Sequence, residues 1–597
     1  ALCSNVCPVC IEMLVLAILF LEQAFAPTGE TIVQLDSGSV VGERYGPCTS
    51  FFGIPYAAPP VGSNRFRPPR LPQTWTGIRD ARKDNHSTCP QNVDAGIFNE
   101  ITDGILGRDL FQRLLDFAFG NSCNEDCLFI NVQTPSTTPE KLLPVMVYIH
   151  GGTNLIGSGS GYNASSFCAR DVVFVSFNYR LGVLGNGAFA SALAESGTTG
   201  NYGLQDQRLA LQWVQKNIMR FGGNPNAVTL SGESAGAMAV AAHVGSPHST
   251  SLFAQGIMMS GNDDSLPLDE AIVLGNRFAT RVGCHDDASG SNDSSKAFLD
   301  CLRSKRAEEL IAAQLFVYNE SMRALQVPVE DGYELPEGLP LRQRFASKTV
   351  PVKPMLVGTN LNDSSMFFAL TPREIVRGVV QGDLRHSIKR FFIGTNKTQR
   401  DEIVARYNSR EFGGMRLALY ALGTDGYFEC PSRRVLQALL QGQQRLYHYI
   451  YAAQPANVAS ALGLPAWLDF IFKSIPPLKW LGAFHGSNEV LFWGAEDPSS
   501  GLTDEERRLG LYMVNSWVKF IHGQEPWGSY GEKEHYRLLS LQDDQFGGYG
   551  WHSDRCNILE QFRFIWNPLE STGQSDTLSV KDRREQTGDP PQFQVVV

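Results

Sequence analysis

The chain has 597 residues, of which 43% are hydrophobic and 19% charged, so it can build a large packed core and is not wholly disordered. At roughly 100–200 residues per domain, that length fits one large domain with insertions or two domains. A formal net charge of −10, with no basic cluster, argues against nucleic acid as a partner, because phosphate binding needs Lys and Arg stripes.

In chain order, the first feature is a short apolar run, Met13 to Phe20, followed by the small-residue pattern Ala24-Phe25-Ala26. It reads as a leader over residues 1–26, a signal peptide starting at Met13 and too short to span a bilayer. Asn85, Asn163, Asn292, Asn319 and Asn396 each head an N-x-S/T triplet, in keeping with a secreted, glycosylated protein. Asn362 does too, but it adjoins a candidate catalytic residue and is expected to stay bare. From Thr31 to Val132 the pattern is short strands and turns, punctuated by stretches such as Gly53 to Gly62 (GIPYAAPPVG). Buried strands are then predicted at Pro144–His150 and Val172–Tyr179, a helix over Leu204–Met219, a strand at Ala227–Ser231 and a helix over Ala235–Val244. Further strands are expected at Ile257–Ser260 and Pro354–Val357. Strands this apolar, alternating with helices, imply a sheet covered by helices on both faces. The catalytic domain is expected over residues 27–566, and the polar, aperiodic residues 567–597 read as a disordered tail. The 12 Cys residues show no paired ligand spacing of the zinc type, so disulfides are the better reading, and neither metal nor cofactor is expected.

The strongest chemical signal is Gly232-Glu233-Ser234-Ala235-Gly236, set between a predicted strand and a predicted helix. That context suits a nucleophile elbow, with a serine projecting above the sheet at a helix N-terminus. A serine nucleophile needs a base and an orienting acid, in the order Ser, acid, His. His485, in a Gly-rich turn, suits the base better than His386 or His535 in charged segments, or His448 in a strand-like run. Asp363 is the acid close after the strand at Pro354–Val357; the alternative is a plain Asx turn. Backbone donors for an oxyanion are expected from Ala235 and from His150-Gly151-Gly152-Thr153.

With these residues the chain resembles the type-B carboxylesterases, the group of cholinesterases, fungal lipases and animal carboxylesterases. The serine signature extends through Phe221-Gly222-Gly223, Val228 and Leu230, and a second appears as Glu125 to Val132 (EDCLFINV). Further family-like stretches are Phe52 to Ala57, Arg65 to Pro69, Asn178 to Gly182 and Gly200 to Leu204, so the resemblance spans roughly Thr31 to Trp566. It implies an α/β-hydrolase fold: a large, mixed, mostly parallel sheet flanked by helices, with insertions around the active-site mouth. It implies a Ser234–His485–Asp363 triad, with Asp where the family usually has Glu, and oxyanion donors at Gly152, Thr153 and Ala235. Thr153 stands where the family has glycine, which puts a branched side chain on the acyl-side wall. It implies disulfides Cys89–Cys127, Cys284–Cys301 and Cys430–Cys556, with Cys123 as a competitor of Cys127, and leaves Cys48, Cys123 and Cys168 without an assigned partner.

The expected activity is hydrolysis of carboxylic esters through an acyl-enzyme, on a small-molecule or lipid ester, with at most transient contact with a lipid interface. No Trp lies between Cys89 and Cys127, where cholinesterases carry one, which argues against choline esters. That loop carries Phe98, Ile101, Ile105, Leu110, Phe111, Leu114, Leu115 and Phe119, which could form a lid over the site or a helix packed on the core. An interfacial lipase or sterol-ester hydrolase therefore stays open, as do an acyltransferase and a catalytically idle adhesion protein.

Overall fold

A computed structural model describes residues 29–91, 123–285, 292–320, 325–370, 395–442, 445–457, 481–498, 500–541 and 547–564, and a few single positions between 384 and 393. The leader, the tail, the apolar loop residues 98–119 and the stretch 458–480 lie outside them.

One sheet of 13 strands organises the molecule. In chain order these are β1 (Glu30–Gln34), β2 (Ser39–Tyr45), β3 (Cys48–Pro55), β4 (Ile78–Asp80), β5 (Phe129–Thr134), β6 (Leu143–Ile149), β7 (Val173–Phe177), β8 (Gly223–Glu233), β9 (Gln255–Met259), β10 (Met355–Asn360), β11 (Leu446–Tyr451), β12 (His535–Leu539) and β13 (Gly547–Tyr549). Their spatial order is β1-β2-β3-β5-β7-β6-β8-β9-β10-β11-β12-β13, with β4 beside β2. The pairs from β7 to β12 are all parallel; β1-β2-β3-β5-β7 and β12-β13 pair antiparallel, and β4 pairs β2 in parallel. This is the mixed, mostly parallel sheet expected of an α/β-hydrolase.

Period-two alternation sorts the central strands onto two cores. Val145, Val147 and Ile149 of β6, with Val173, Val175 and Phe177 of β7, face one layer. That layer is built by α1 (Tyr202–Asn217), α2 (Ala235–Gly245) and, after α3 (Ser364–Leu370), by α4 (Cys430–Leu439). Met146 and Tyr148 of β6, Phe174 of β7 and Tyr447, Tyr449 and Tyr451 of β11 face the other layer, closed by α5 (Ser487–Gly494) and α6 (Asp504–Ile521). Trp517 and Phe520 of α6 are fully buried there, each contributing about 1.5–3 kcal/mol. Helix α6 starts on a capping box between Thr503 and Glu506, reinforced by Asp504 and Glu505 in the first turn.

The family-like stretches away from the site act as clamps. Arg65 binds Glu125 through Nε at 2.8 Å and donates to the carbonyls of Leu302, Arg303 and Lys305. Arg180 grips the fully buried Asp206 through Nε at 2.8 Å and Nη2 at 2.7 Å.

Four disulfides form among the described residues: Cys89–Cys127, Cys284–Cys301, Cys430–Cys556 and Cys48–Cys168. The last supplies partners for two cysteines that sequence reading left unassigned. Cys48 opens β3 and Cys168 ends the short helix Ser165–Cys168 just ahead of β7, so the bond reaches across β5 between residues 120 apart in sequence. The Cys89–Cys127 loop lies inside the loop that Cys48–Cys168 closes. Cys123 is a free, exposed thiol and does not displace Cys127. Among the described residues no helix is long and apolar enough to cross a membrane.

Candidate active site

Ser234 sits in the one-residue turn between β8 and α2, at φ 57° and ψ −122°. A sharp, left-handed turn of this kind is the strained geometry of a nucleophile elbow. The flanking glycines are required by close approach. A Cβ on Gly232 would lie 2.4 Å from the Gly236 carbonyl carbon, and one on Gly236 would lie 2.1 Å from the Ile149 carbonyl oxygen. Hydrogen bonds from Ser234 N–H to Met259 O and from Met238 N–H to Ser234 O fix the turn to β9 and start the helix.

Asp363 follows β10 and is fully buried. Its Oδ2 accepts the N–H of Asn360, three residues earlier, at 2.7 Å, while its Oδ1 meets His485 Nδ1 at 2.9 Å. The Ser365 N–H, two residues on, donates to Asn362 O, so Asp363 makes no plain Asx turn of the kind the sequence offered as the alternative. Neighbouring Asn362 is committed to structure: its Oδ1 accepts the Ala483 N–H and its N–H donates to Ala483 O, which ties the acid's loop to the histidine's.

His485 precedes α5, and its ring packs against Phe367 and Phe428 with centroids 5.0 and 4.9 Å away. The same two rings line the cleft onto which Ser234 opens, together with Thr153, Ala235, Met238, Gln326 and Tyr427. Serine, histidine and acid thus come from three separate loops to one end of the sheet. His448 lies in β11, 3.4 Å from Glu429, away from this cleft. His535 packs at the β12–β13 edge with Nδ1 3.0 Å from Gly528 O, and His386 lies outside the described residues.

The loop after β6 lies against the nucleophile's turn: a Cβ on Gly151 would be 3.0 Å from that of Ser234. Gly152 has φ 96°, and a Cβ there would meet Ile156 O at 2.2 Å. Thr153 and Asn154 both have positive φ, at 57° and 58°. Thr153 holds this left-handed conformation despite its branched Cβ, with its Oγ1 donating to Gly152 O at 2.7 Å. His150, at the loop's start, stacks on Tyr179 at 4.3 Å, and burial lowers its pKa to about 4, so its ring is uncharged at neutral pH.

Glu233 is a close neighbour of His485 that sequence reading passed over. It is buried, with Oε1 3.3 Å from His485 Nε2, yet neither atom has a hydrogen-bond partner among the described residues. Burial pushes Glu233 up to about 8, against the pull of His485. For His485, burial favours the neutral ring, but the charge of Glu233 and the hydrogen bond and charge of Asp363 outweigh it and raise the imidazole to about 9. The two groups compete for one proton. When Glu233 holds it, its pull on the ring vanishes and Asp363 is the carboxylate bonded to His485. A third carboxyl, Glu489, is also raised by burial and accepts hydrogen bonds from Tyr148 and Trp493. The charges of Asp363 and Glu489 add to burial in raising Glu233. The only sequence signal for Glu233 is its position beside the nucleophile.

The profile of the carboxylesterase family matches residues 29–556. Pyrethroid hydrolase Ces2e of Rattus norvegicus is 31% identical over 516 residues, which cover 83% of this chain and 82% of that protein. Among solved structures, a PNB esterase superposes with a TM-score of 0.68 at 27% identity, covering 89% of this chain and 100% of that one.

Proposed function

The chain belongs to the carboxylesterase family and is a serine carboxylic ester hydrolase, and from that premise we propose that Ser234, His485 and Asp363 carry the reaction in a secreted enzyme that is not a cholinesterase. The observation that carries the reading is the 2.9 Å contact of His485 Nδ1 with Asp363, beside a cleft onto which Ser234 opens from a left-handed turn. His485 takes the Ser234 proton through Nε2 as the serine oxygen attacks the ester carbonyl. The N–H groups of Gly152, Thr153 and Ala235 hold the oxyanion. His485 then protonates the departing alcohol and activates the water that releases the acid. Asp363 fixes the imidazole tautomer and stabilises its charged form throughout.

Aromatic and apolar walls from Phe367, Phe428, Tyr427 and Met238 suit an uncharged ester, and the sequence between Cys89 and Cys127 has no Trp to bind a quaternary ammonium. Four disulfides, together with the leader-like N-terminal run, support residence in an oxidising, extracytoplasmic compartment. Asn85, Asn163 and Asn396 are exposed and open to glycosylation. At Asn396 the side-chain oxygen caps a helix by accepting the Gln399 N–H, which leaves the amide nitrogen for a glycan. An organophosphate should label Ser234, and Ser234→Ala should lower kcat by about 10⁶ if the triad acts as a unit. Asp363→Asn should lower it by about 10⁴ in a folded protein. A label on any other residue, or wild-type turnover by either variant, would move the assignment elsewhere.

A further inference from the structure

Behind the wall of the Ser234 cleft lies a second, smaller cavity lined by Asn154, Tyr179, Asn186, Asn201, Gln207 and Met238, among others. Met238 lines both spaces. The remaining partition is the Thr153–Asn154 peptide and the segment from Gln326 to Pro328, tied together by Asn154 Nδ2 donating to Gln326 O at 2.7 Å. Two sides of the partition are thus tied to each other. The third is an unbranched thioether side chain with three rotatable bonds, the most adaptable group available to a core.

The chemistry behind Met238 is unlike that of the cleft. The cleft is aromatic and apolar, whereas the cavity is lined by carboxamides and, among the described residues, by no charged group. Most of these polar atoms are engaged. Tyr179 donates to His150 O at 2.8 Å, and Asn201 is bonded to Val329 through both Nδ2 and Oδ1. Asn186 Nδ2 donates to Leu325 O at 3.0 Å, and Gln207 Oε1 lies 3.0 Å from His243 Nε2. That leaves Asn186 Oδ1, an acceptor, and Gln207 Nε2, a donor, on side chains only 8% and 2% exposed. Polar atoms left over at a cavity favour an occupant that can hydrogen-bond.

We infer that this cavity is a second acyl subsite, which takes a neutral hydrogen-bonding group, a hydroxyl or a carbonyl, at the far end of an acyl chain that has displaced the Met238 side chain. The inference rests on the ester-hydrolase reading of Ser234 and deepens it by naming a substrate class. The acyl group is the part of the ester that stays bonded to Ser234, and Met238 lies one helical turn, about 5.4 Å, further along α2. The absence of lining charge selects a neutral terminus over a carboxylate or an amine, whose desolvation nothing here would offset.

The test is a matched series of nitrophenyl esters of butyric, hexanoic and octanoic acid, each with and without a terminal hydroxyl. A parallel series of acetates varies the alcohol in the same way. The expected result is a kcat/KM advantage of about 2- to 10-fold for the hydroxylated acyl chain at one length, the net worth of one hydrogen bond. No such advantage should appear in the alcohol series. Asn186→Leu should bring the ratio to about one. Met238→Phe, which leaves the carboxamides in place and fills the passage, should do the same if Asn186→Leu fails to fold. Equal kcat/KM at every length would make the cavity a site for water alone and overturn the inference. So would an advantage confined to the alcohol series, or one that survives both substitutions. No turnover of any ester would overturn the ester reading and the subsite with it.

Discussion

At the scale of single residues, the closeness of Glu233 to His485 makes the pH profile informative. The base must be neutral to act, and the Glu233 carboxylate raises the imidazole pKa. Glu233→Gln removes that anion, so the acid limb of kcat/KM should move to lower pH; an unmoved or raised limb would show that Glu233 has no electrostatic hold on the ring. Thr153→Gly should keep turnover, because the proposed oxyanion donor is a main-chain N–H, and should relieve a β-branched residue of its left-handed conformation. Removing the branched side chain from the cleft should broaden the range of acyl groups accepted in an ester panel. A loss of about 10²–10³ in kcat would instead mean that the side chain holds the donor in place. The tight turn at Ser234 was legible in the sequence because its requirements are local: two glycines, a strand before and a helix after. Glu233 was not, although it is part of the same five-residue motif. Its role depends on the approach of His485, 252 positions later in the chain, and nothing local distinguishes it from a filler at the variable position of the motif.

At the scale of elements, the apolar runs that predicted β6, β7, β9 and β10 are strands buried on both faces, so their composition identifies them whatever their neighbours. β8 begins at Gly223, earlier than its apolar run at Ala227, because Asn224, Pro225 and Asn226 hide its first residues. Helix α5 was missed, since the segment reads as a turn around His485 until Ser487–Gly494 is seen packed on α6. The Cys48–Cys168 bond was illegible for a related reason. Its partners become neighbours only when β3, β5 and β7 assemble side by side, a long-range event with no local mark. A cross-link closing so long a loop constrains the unfolded chain strongly, so replacing both cysteines with Ala should lower unfolding free energy by about 2–5 kcal/mol, read from the urea midpoint. An unchanged midpoint, with both thiols found reactive in the native wild type, would mean that the bond does not form.

At the scale of the whole molecule, an esterase and an interfacial lipase differ in where the ester is met: in solution or at a lipid surface. The small-ester reading expects rate against a medium-chain triglyceride to saturate smoothly through its solubility limit. A sharp rise once droplets form, weakened by Phe111→Asp with Leu115→Asp while a soluble acetate is spared, would instead identify a lid that opens against lipid.

The nesting of Cys89–Cys127 inside Cys48–Cys168 bears on how the enzyme withstands damage. A protease that severs the chain once between Cys89 and Cys127 leaves an N-terminal piece carrying Cys48 and Cys89 and a C-terminal piece carrying Cys127 and Cys168. Two covalent links then join the pieces, and strands β1 to β4 stay attached to the sheet that carries Ser234. Such a nicked enzyme should migrate as a single species on a denaturing gel and part into two only under reductant. A blood plasma, a gut or a culture broth could therefore cut this stretch without releasing either piece.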